Sequence, residues 1–269
     1  MQKLLATFLI LFFSLLFTST AFSQARDTIY VYQDEGVGKE SLAQTISTFT
    51  SLLKKYDVKT LNAQQLKNGL WAKNAILFIM PGGADLPYVK KLQGVGNTII
   101  KNYVAAGGNF LGICAGSYYG SSYVEFDKNG PLEVLGDREL SFFKGSAVGP
   151  ILAPYDYKTQ SGSRAAAIHT IFPDTPKTIV FYNGGGYFKN AEQYPNTKVI
   201  GTYENDLPAI ILIDYGKGKV LLSGVHFEYD PSLLNSQDPY IQKTIAPLHE
   251  GNHSRKALFN HLMELIGVI

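Results

Sequence analysis

The sequence predicts an α/β fold built on a mainly parallel sheet, and three features of the 269-residue chain carry that prediction. Residues 75–80 (AILFIM) are continuously apolar, as a parallel strand covered on both faces would be. Strand-like runs alternate with helical ones through the first half of the chain, the pattern of βαβ units. Glycine-rich turns close those runs, at Pro81-Gly82-Gly83 and at Gly107-Gly108.

Taken in order, residues 28–33 (TIYVYQ) read as a short strand running into the loop Asp34-Glu35-Gly36-Val37-Gly38. Over 39–56, Leu42, Ile46, Phe49, Leu52 and Leu53 recur at three- and four-residue spacing, which predicts an amphipathic helix with one buried face. A strand at 58–61, a helical stretch at 63–67 and the buried strand at 75–80 follow. Residues 95–106 read as a helix and give way to a strand over 109–113. The middle is an extra β-rich segment, with strand-like pieces at 139–143, 165–171, 178–182, 198–203 and 209–214. Residues 210–214 and 219–223 flank the turn Tyr215-Gly216-Lys217-Gly218 and predict a hairpin. An amphipathic helix over 254–266 closes the chain. With no repeat and no Pro-rich linker, the expectation is a single domain over 24–269.

Composition excludes several classes. At 45% apolar and 17% charged, the chain is neither disordered nor a coiled coil. A net charge of +2 without Lys/Arg clusters argues against nucleic acid as a partner. Lys3, the apolar run 4–17 and the small residues of Ala21-Phe22-Ser23 form the pattern of a secretory signal peptide over residues 1–23. That run is shorter than the ~20 residues that span a bilayer, and no Cys lies near the cleavage point to carry a lipid. The expected product is exported, periplasmic or secreted, with no stable membrane anchor. In that oxidising setting the single cysteine, Cys114, has no intrachain disulfide partner. It is either a buried bystander or a reactive thiol.

The chemistry concentrates at Gly112-Ile113-Cys114-Ala115-Gly116, where a buried strand ends and a helix should begin. A G-x-C-x-G turn is a nucleophile elbow: the glycines permit a tight turn, the thiol rises above the sheet edge, and the helix amides favour thiolate. A thiol nucleophile needs a base, and the base an orienting group. His226 and Glu228 form an H-x-E pair on a strand exit, where alternation points both side chains to one face. His226 can then take the thiol proton while Glu228 fixes its tautomer. His169, inside an apolar run, reads as a hydrogen-bonded core histidine, and His249, His253 and His261 suggest no role. Gly82 and Gly83, with the amide of Ala115, offer backbone donors for an oxyanion hole. One Cys and no paired His at ligand spacing leave no basis for a metal. Gly36 and Gly38 lack the third glycine of a dinucleotide fingerprint, so no cofactor is expected.

A P-G-G strand exit, then G-x-C-x-G, then a distant H-x-E is similar to the class I glutamine amidotransferase-like superfamily. The segments Tyr30-Val31-Tyr32, Pro81-Gly82-Gly83-Ala84-Asp85, Gly112-Ile113-Cys114-Ala115-Gly116-Ser117-Tyr118-Tyr119, Ser161-Gly162-Ser163-Arg164-Ala165 and Tyr182-Asn183-Gly184-Gly185-Gly186 resemble the family of biotin-protein ligase N-terminal domains. The resemblance implies a flavodoxin-like, doubly wound sheet with the site at the strand carboxyl ends. It implies Cys114 as nucleophile, His226 as base and Glu228 as its support. The chain departs from glutaminase-active members in two places: Tyr118 stands where they carry Gln, and Phe227 where they favour Pro. The stretch after Tyr229 is too short to hold a ligase domain, so biotin ligase activity is not expected.

Two readings follow. One is an exported cysteine-dependent amidohydrolase acting on a small amide or peptide-like substrate. The other is a non-catalytic module on the same fold that binds a small ligand or a partner. Ammonia supply to a separate synthetase ranks below both, and the sequence identifies no protein partner.

Overall fold

Alternation along each buried strand decides how this chain is layered. The structure, a computed structural model, describes residues 26–152 and 155–269, so the expected signal segment 1–23 lies outside the described residues. The first strands are β1 (Thr28–Tyr32), β2 (Asp57–Leu61), β3 (Ala75–Met80) and β4 (Asn109–Ile113). The middle supplies β5 (Ser121–Phe126), β6 (Val134–Asp137), β7 (Phe143–Gly149), β8 (Arg164–Thr170), β9 (Lys177–Tyr182) and β10 (Tyr187–Phe188). β11 (Thr197–Tyr203), β12 (Pro208–Tyr215) and β13 (Gly218–Ser223) complete the set.

Nine of these strands form one sheet in the order β2-β1-β3-β4-β13-β12-β11-β8-β9. The first five are parallel. Counted among themselves they run 2-1-3-4-5, the flavodoxin-like doubly wound order. The hairpin of β12 and β13 is the one expected from its Gly-rich turn, and beyond it the sheet continues antiparallel. The β-rich middle also builds a second sheet, β10-β7-β5-β6.

The helices are α1 (Lys39–Leu52), α2 (Ala63–Lys67), α3 (Asp85–Leu92), α4 (Val95–Ala105), α5 (Ala115–Gly120), α6 (Pro239–Glu250) and α7 (Asn252–Leu265). In β3, Leu77 and Ile79 point to one face and pack with Phe49 of α1 and Phe259 of α7. Phe78 and Met80 point to the other, against Leu66, Tyr88 and Ile100 of α2 to α4 and the aromatic side of the small sheet. Both faces are therefore covered, which is why these strands carry almost no polar residue.

Several sequence expectations change. Residues 139–142 are not strand: Leu140 and Phe142 plug the core from a loop in which Ser141 has φ 46°, and the strand begins at Phe143. Their alternation comes from plugging, not from a ladder. His169 is exposed, because the same alternation in β8 that buries Ala166 and Ile168 turns it outward. The first helix stops at Leu52, four residues early, and the Tyr56 hydroxyl instead donates to the Val268 carbonyl at 2.5 Å. Helices α3 and α6 are additions to the expected set. α6 does carry a start signal, since Asp238 caps Tyr240 and Ile241 and Pro239 occupies the first turn.

α7 also reaches the loop that follows β13. Arg255 is buried, donates to the Phe227 carbonyl at 3.0 Å and to Asn252 Oδ1 at 2.8 Å, and lies 3.8 Å from the Asp230 carboxylate. Arg255→Ala should orphan that buried carbonyl and lower stability by about 1–3 kcal/mol. Thermal unfolding would show this as a Tm several degrees lower, and Arg255→Lys should recover only part of it.

Candidate active site

Cys114 sits between the end of β4 and the start of α5 with φ 50° and ψ −109°. A non-glycine residue there costs on the order of 1–3 kcal/mol and persists only where its surroundings over-determine it. They do: the Cys114 amide donates to the Ser223 carbonyl on β13 at 2.8 Å, while its own carbonyl accepts from the Ser117 and Tyr118 amides at 2.9 and 3.1 Å. Gly116 allows α5 to rest on the end of β3, since a Cβ there would lie 2.0 Å from the Met80 carbonyl oxygen.

β13 ends at Ser223, and the chain after it delivers His226, whose amide donates to the Phe181 carbonyl at the end of β9 at 2.8 Å. His226 is 3% exposed and Glu228 fully buried, and the imidazole Nδ1–H donates to Glu228 Oε1 at 2.8 Å. The Cys114 sulfur faces the same cleft as the imidazole and stands 3.6 Å from the Asn183 carbonyl oxygen. Gly82 is the spacer between them: a Cβ on it would stand 2.8 Å from His226 Cε1 and 3.3 Å from Cys114 Cβ. The three residues singled out by the elbow and the H-x-E pair are thus brought together.

Electrostatics follow from burial. Desolvation alone pulls the imidazole down, but the Glu228 carboxylate and the Cys114 sulfur outweigh it and raise His226 to about 10. Glu228 Oε2 is buried with no partner among the described residues. Tyr229 lies beside them, its ring 4.5 Å from the imidazole and stacked on Phe181. Burial, then the Glu228 carboxylate, pushes its phenol well up, so it stays neutral. Glu40, half-buried on the cleft wall, is also raised by desolvation despite the nearby imidazole.

The glycines after β3 divide their work. The Gly82 amide donates to Ser41 Oγ at 2.9 Å and is not free for a ligand, which corrects its expected part as an oxyanion donor. Among the described residues, the Gly83 and Ala115 amides donate to no protein acceptor, and both border the space beside Cys114. The Glu35-Gly36-Val37-Gly38 loop pins this exit: the Gly38 amide donates to the Gly82 carbonyl at 2.9 Å and the Ala84 amide to the Gly36 carbonyl at 2.8 Å. Ser41, Glu40, Asn183 and Tyr229 escaped sequence reading. Only Asn183 had a signal, lying in the Gly-rich 182–186 segment. Among the described residues no cluster of three His, Cys, Asp or Glu could hold a metal.

The sequence matches the family described as biotin-protein ligase, N terminal, over residues 27–269. It is 39% identical over 220 residues to a protein of Chlamydia muridarum described as uncharacterized, covering 78% of this chain and 83% of that one. It is 32% identical over 248 residues to the biotin–protein ligase of Schizosaccharomyces pombe, covering 89% of this chain but only 38% of the ligase. Among solved structures, a GMP synthase-type protein from Thermoplasma acidophilum aligns over 86% of this chain and 98% of its own length, at 13% identity and a TM-score of 0.48. A ThuA-like protein of Bacteroides uniformis aligns over 78% of this chain and 85% of its own, at 12% identity and a TM-score of 0.45.

Because His226 holds a proton to about 10 in the folded chain and to about 6.5 otherwise, the fold binds a proton between those values that the unfolded chain does not. Its contribution to stability is complete below pH 6.5 and is lost as pH rises through 10. The Tm should fall from pH 7 to pH 10, and the fall should be shallower in Glu228→Gln, as differential scanning calorimetry across that range would show.

Proposed function

The chain belongs to the biotin-protein ligase N-terminal family, and within it we propose a cysteine-dependent amidohydrolase that acts on a small amide or peptide-like substrate. The observation that carries this reading is the buried Cys114-His226-Glu228 cluster, with two backbone amides beside the sulfur that have no acceptor among the described residues. His226 already holds the proton as an imidazolium paired with the Cys114 thiolate, and the thiolate attacks the amide carbonyl carbon to form a C–S bond. The oxyanion accepts hydrogen bonds from Ala115 and Gly83. Collapse breaks the C–N bond as the imidazolium protonates the departing amine, leaving a thioester. A water that gives its proton to His226 then cleaves the C–S bond, releasing the acid and restoring the thiolate and imidazolium. Glu228 holds the Nδ1 proton throughout and so keeps Nε2 toward sulfur. The S. pombe relative's ligation is not carried over, since the chain spans 38% of that enzyme.

A binding module is the second reading, favoured by the aromatic crowding of the elbow: Tyr118 is buried beside Cys114 with its hydroxyl on the Gly184 carbonyl at 3.2 Å. Iodoacetamide at pH 7 separates the two. Under the hydrolase reading, Cys114 should be alkylated at least about tenfold faster in the native protein than in His226→Ala. Equal slow rates in both proteins would select the binding module. Cys114→Ala should abolish any amide hydrolysis, and an unchanged rate would overturn the mechanism.

We further propose that this activity operates outside the cytoplasm, supported by the signal-like pattern of residues 1–23. Intact mass of protein recovered from expressing cells should begin at Gln24; an uncleaved Met1 would overturn export.

A further inference from the structure

Glu40 stands without a counter-ion in the wall of the cleft that opens on Cys114. That cleft measures about 440 Å³, whereas the space on the other flank of the sulfur, about 20 Å³, admits roughly one water. A substrate therefore lies in the larger space, beside Glu40. We propose that Glu40 selects the substrate: the amide that reaches Cys114 carries an ammonium group, which the Glu40 carboxylate receives among the aromatic rings of the cleft. The proposal rests on the hydrolase reading above and adds the substrate class to it.

Glu40 is close to the nucleophile. It lies in the first turn of α1, directly before Ser41. A Cβ on Gly82 would stand 3.1 Å from Ser41 Oγ and 3.3 Å from Cys114 Cβ, so this turn and the sulfur are separated by the width of one glycine. A compact amide can therefore reach both.

The carboxylate has little to hold it. Gln160 Oε1 accepts from Asn183 Nδ2 at 2.8 Å, which turns Gln160 Nε2 toward Glu40 Oε2, but only to 3.5 Å. That is the outer limit of a hydrogen bond and leaves the charge poorly compensated. Among the described residues Glu40 forms no ion pair. Burial raises its pKa against the pull of His226, and the Asp238 carboxylate adds to the rise; a bound ammonium would reverse it. On the hydrolase reading, the imidazolium of His226 is already engaged by Glu228 and the thiolate, so with Glu40 one positive charge meets three negative ones. Lys39, the other cation on the cleft wall, is exposed and screened by solvent.

Tyr155, Tyr157, Phe181 and Tyr229 complete the wall. Tyr155 meets Tyr157 edge-on at 4.9 Å and Phe181 stacks on Tyr229 at 4.6 Å between centroids. Ring faces attract ammonium groups, most strongly where water is excluded. An anionic ligand would meet the excess of negative charge, and a neutral one would leave Glu40 unpaired.

The test alkylates Cys114 in the full chain with 2-bromoethylamine, protonated at pH 7, and with neutral 2-bromoacetamide. In each reaction sulfur forms a C–S bond as bromide leaves, and His226 keeps its proton. The ratio of the amine's rate to the amide's should fall at least about tenfold in Glu40→Gln, as removal of one nearby charge requires. An unchanged or higher ratio would overturn the proposal. Calorimetry on Cys114→Ala judges Glu40 without the thiol: 3-aminopropanamide, an ammonium, should bind at least about tenfold tighter than butyramide, its neutral isostere, and lose that margin when Glu40→Gln is added. Equal binding of the two amides, tighter binding of butyramide, or no binding of either would overturn the proposal. A wild-type thiol inert to both bromides would overturn the hydrolase reading, and the calorimetry would still decide the ammonium site.

Discussion

One strained residue organises this molecule. Cys114 is held at φ 50° because its amide is bonded to β13, its carbonyl to the first turn of α5, and the glycine two residues on lets that helix touch β3. Each restraint comes from a different parallel strand or the helix that follows it, so the elbow exists only when the sheet is assembled. The sulfur then stands where strand carboxyl ends converge, the position at which open α/β sheets bind ligands.

Around it the protein buries charge, and it does so in two ways. Glu228 is fully buried and bonded to His226 through one oxygen, while the other has no partner among the described residues. That arrangement is unfavourable unless the imidazole carries a proton, and the rise of His226 reflects it. Asp85 is instead neutralised by Arg138, which reaches it from the loop after β6. The first carboxylate tunes a titrating group; the second is electrically spent. A buried acid beside a nucleophile therefore need not mean acid–base chemistry.

The extra β-rich segment has a constructive role. The parallel half of the sheet supplies the thiol and the approach of the imidazole. The small sheet and the 155–157 loop wall one side of the thiol with aromatic residues. The other side is walled by α1, by Phe181 and Tyr229, and by Gln160 and Asn183, which bond to each other at 2.8 Å. The walls of the site thus come both from the α/β scaffold, through α1, and from the added β-rich segment.

Much of this was legible in the chain. The parallel strands announce themselves because burial on both faces removes polar residues, as in 75–80. The elbow shows in Gly112-Ile113-Cys114-Ala115-Gly116 because a tight turn against strands leaves no room for Cβ atoms, and His226 with Glu228 shows because i, i+2 residues on extended chain share a face. Local periodicity could not tell the plug at Leu140 and Phe142 from a strand, nor foresee that His169 turns outward. It could not tell Gly82, whose amide is consumed by Ser41, from Gly83, whose amide has no acceptor among the described residues. Nor could it pair Asp85 with Arg138, 53 residues away. Sequence by itself determined the layers, the elbow and the members of the buried cluster, because these follow from short-range spacing and from which side chains avoid water. Tertiary structure alone decided which glycine amide is consumed and which carboxylate is paired, because those depend on contacts between segments distant in sequence that no local pattern encodes.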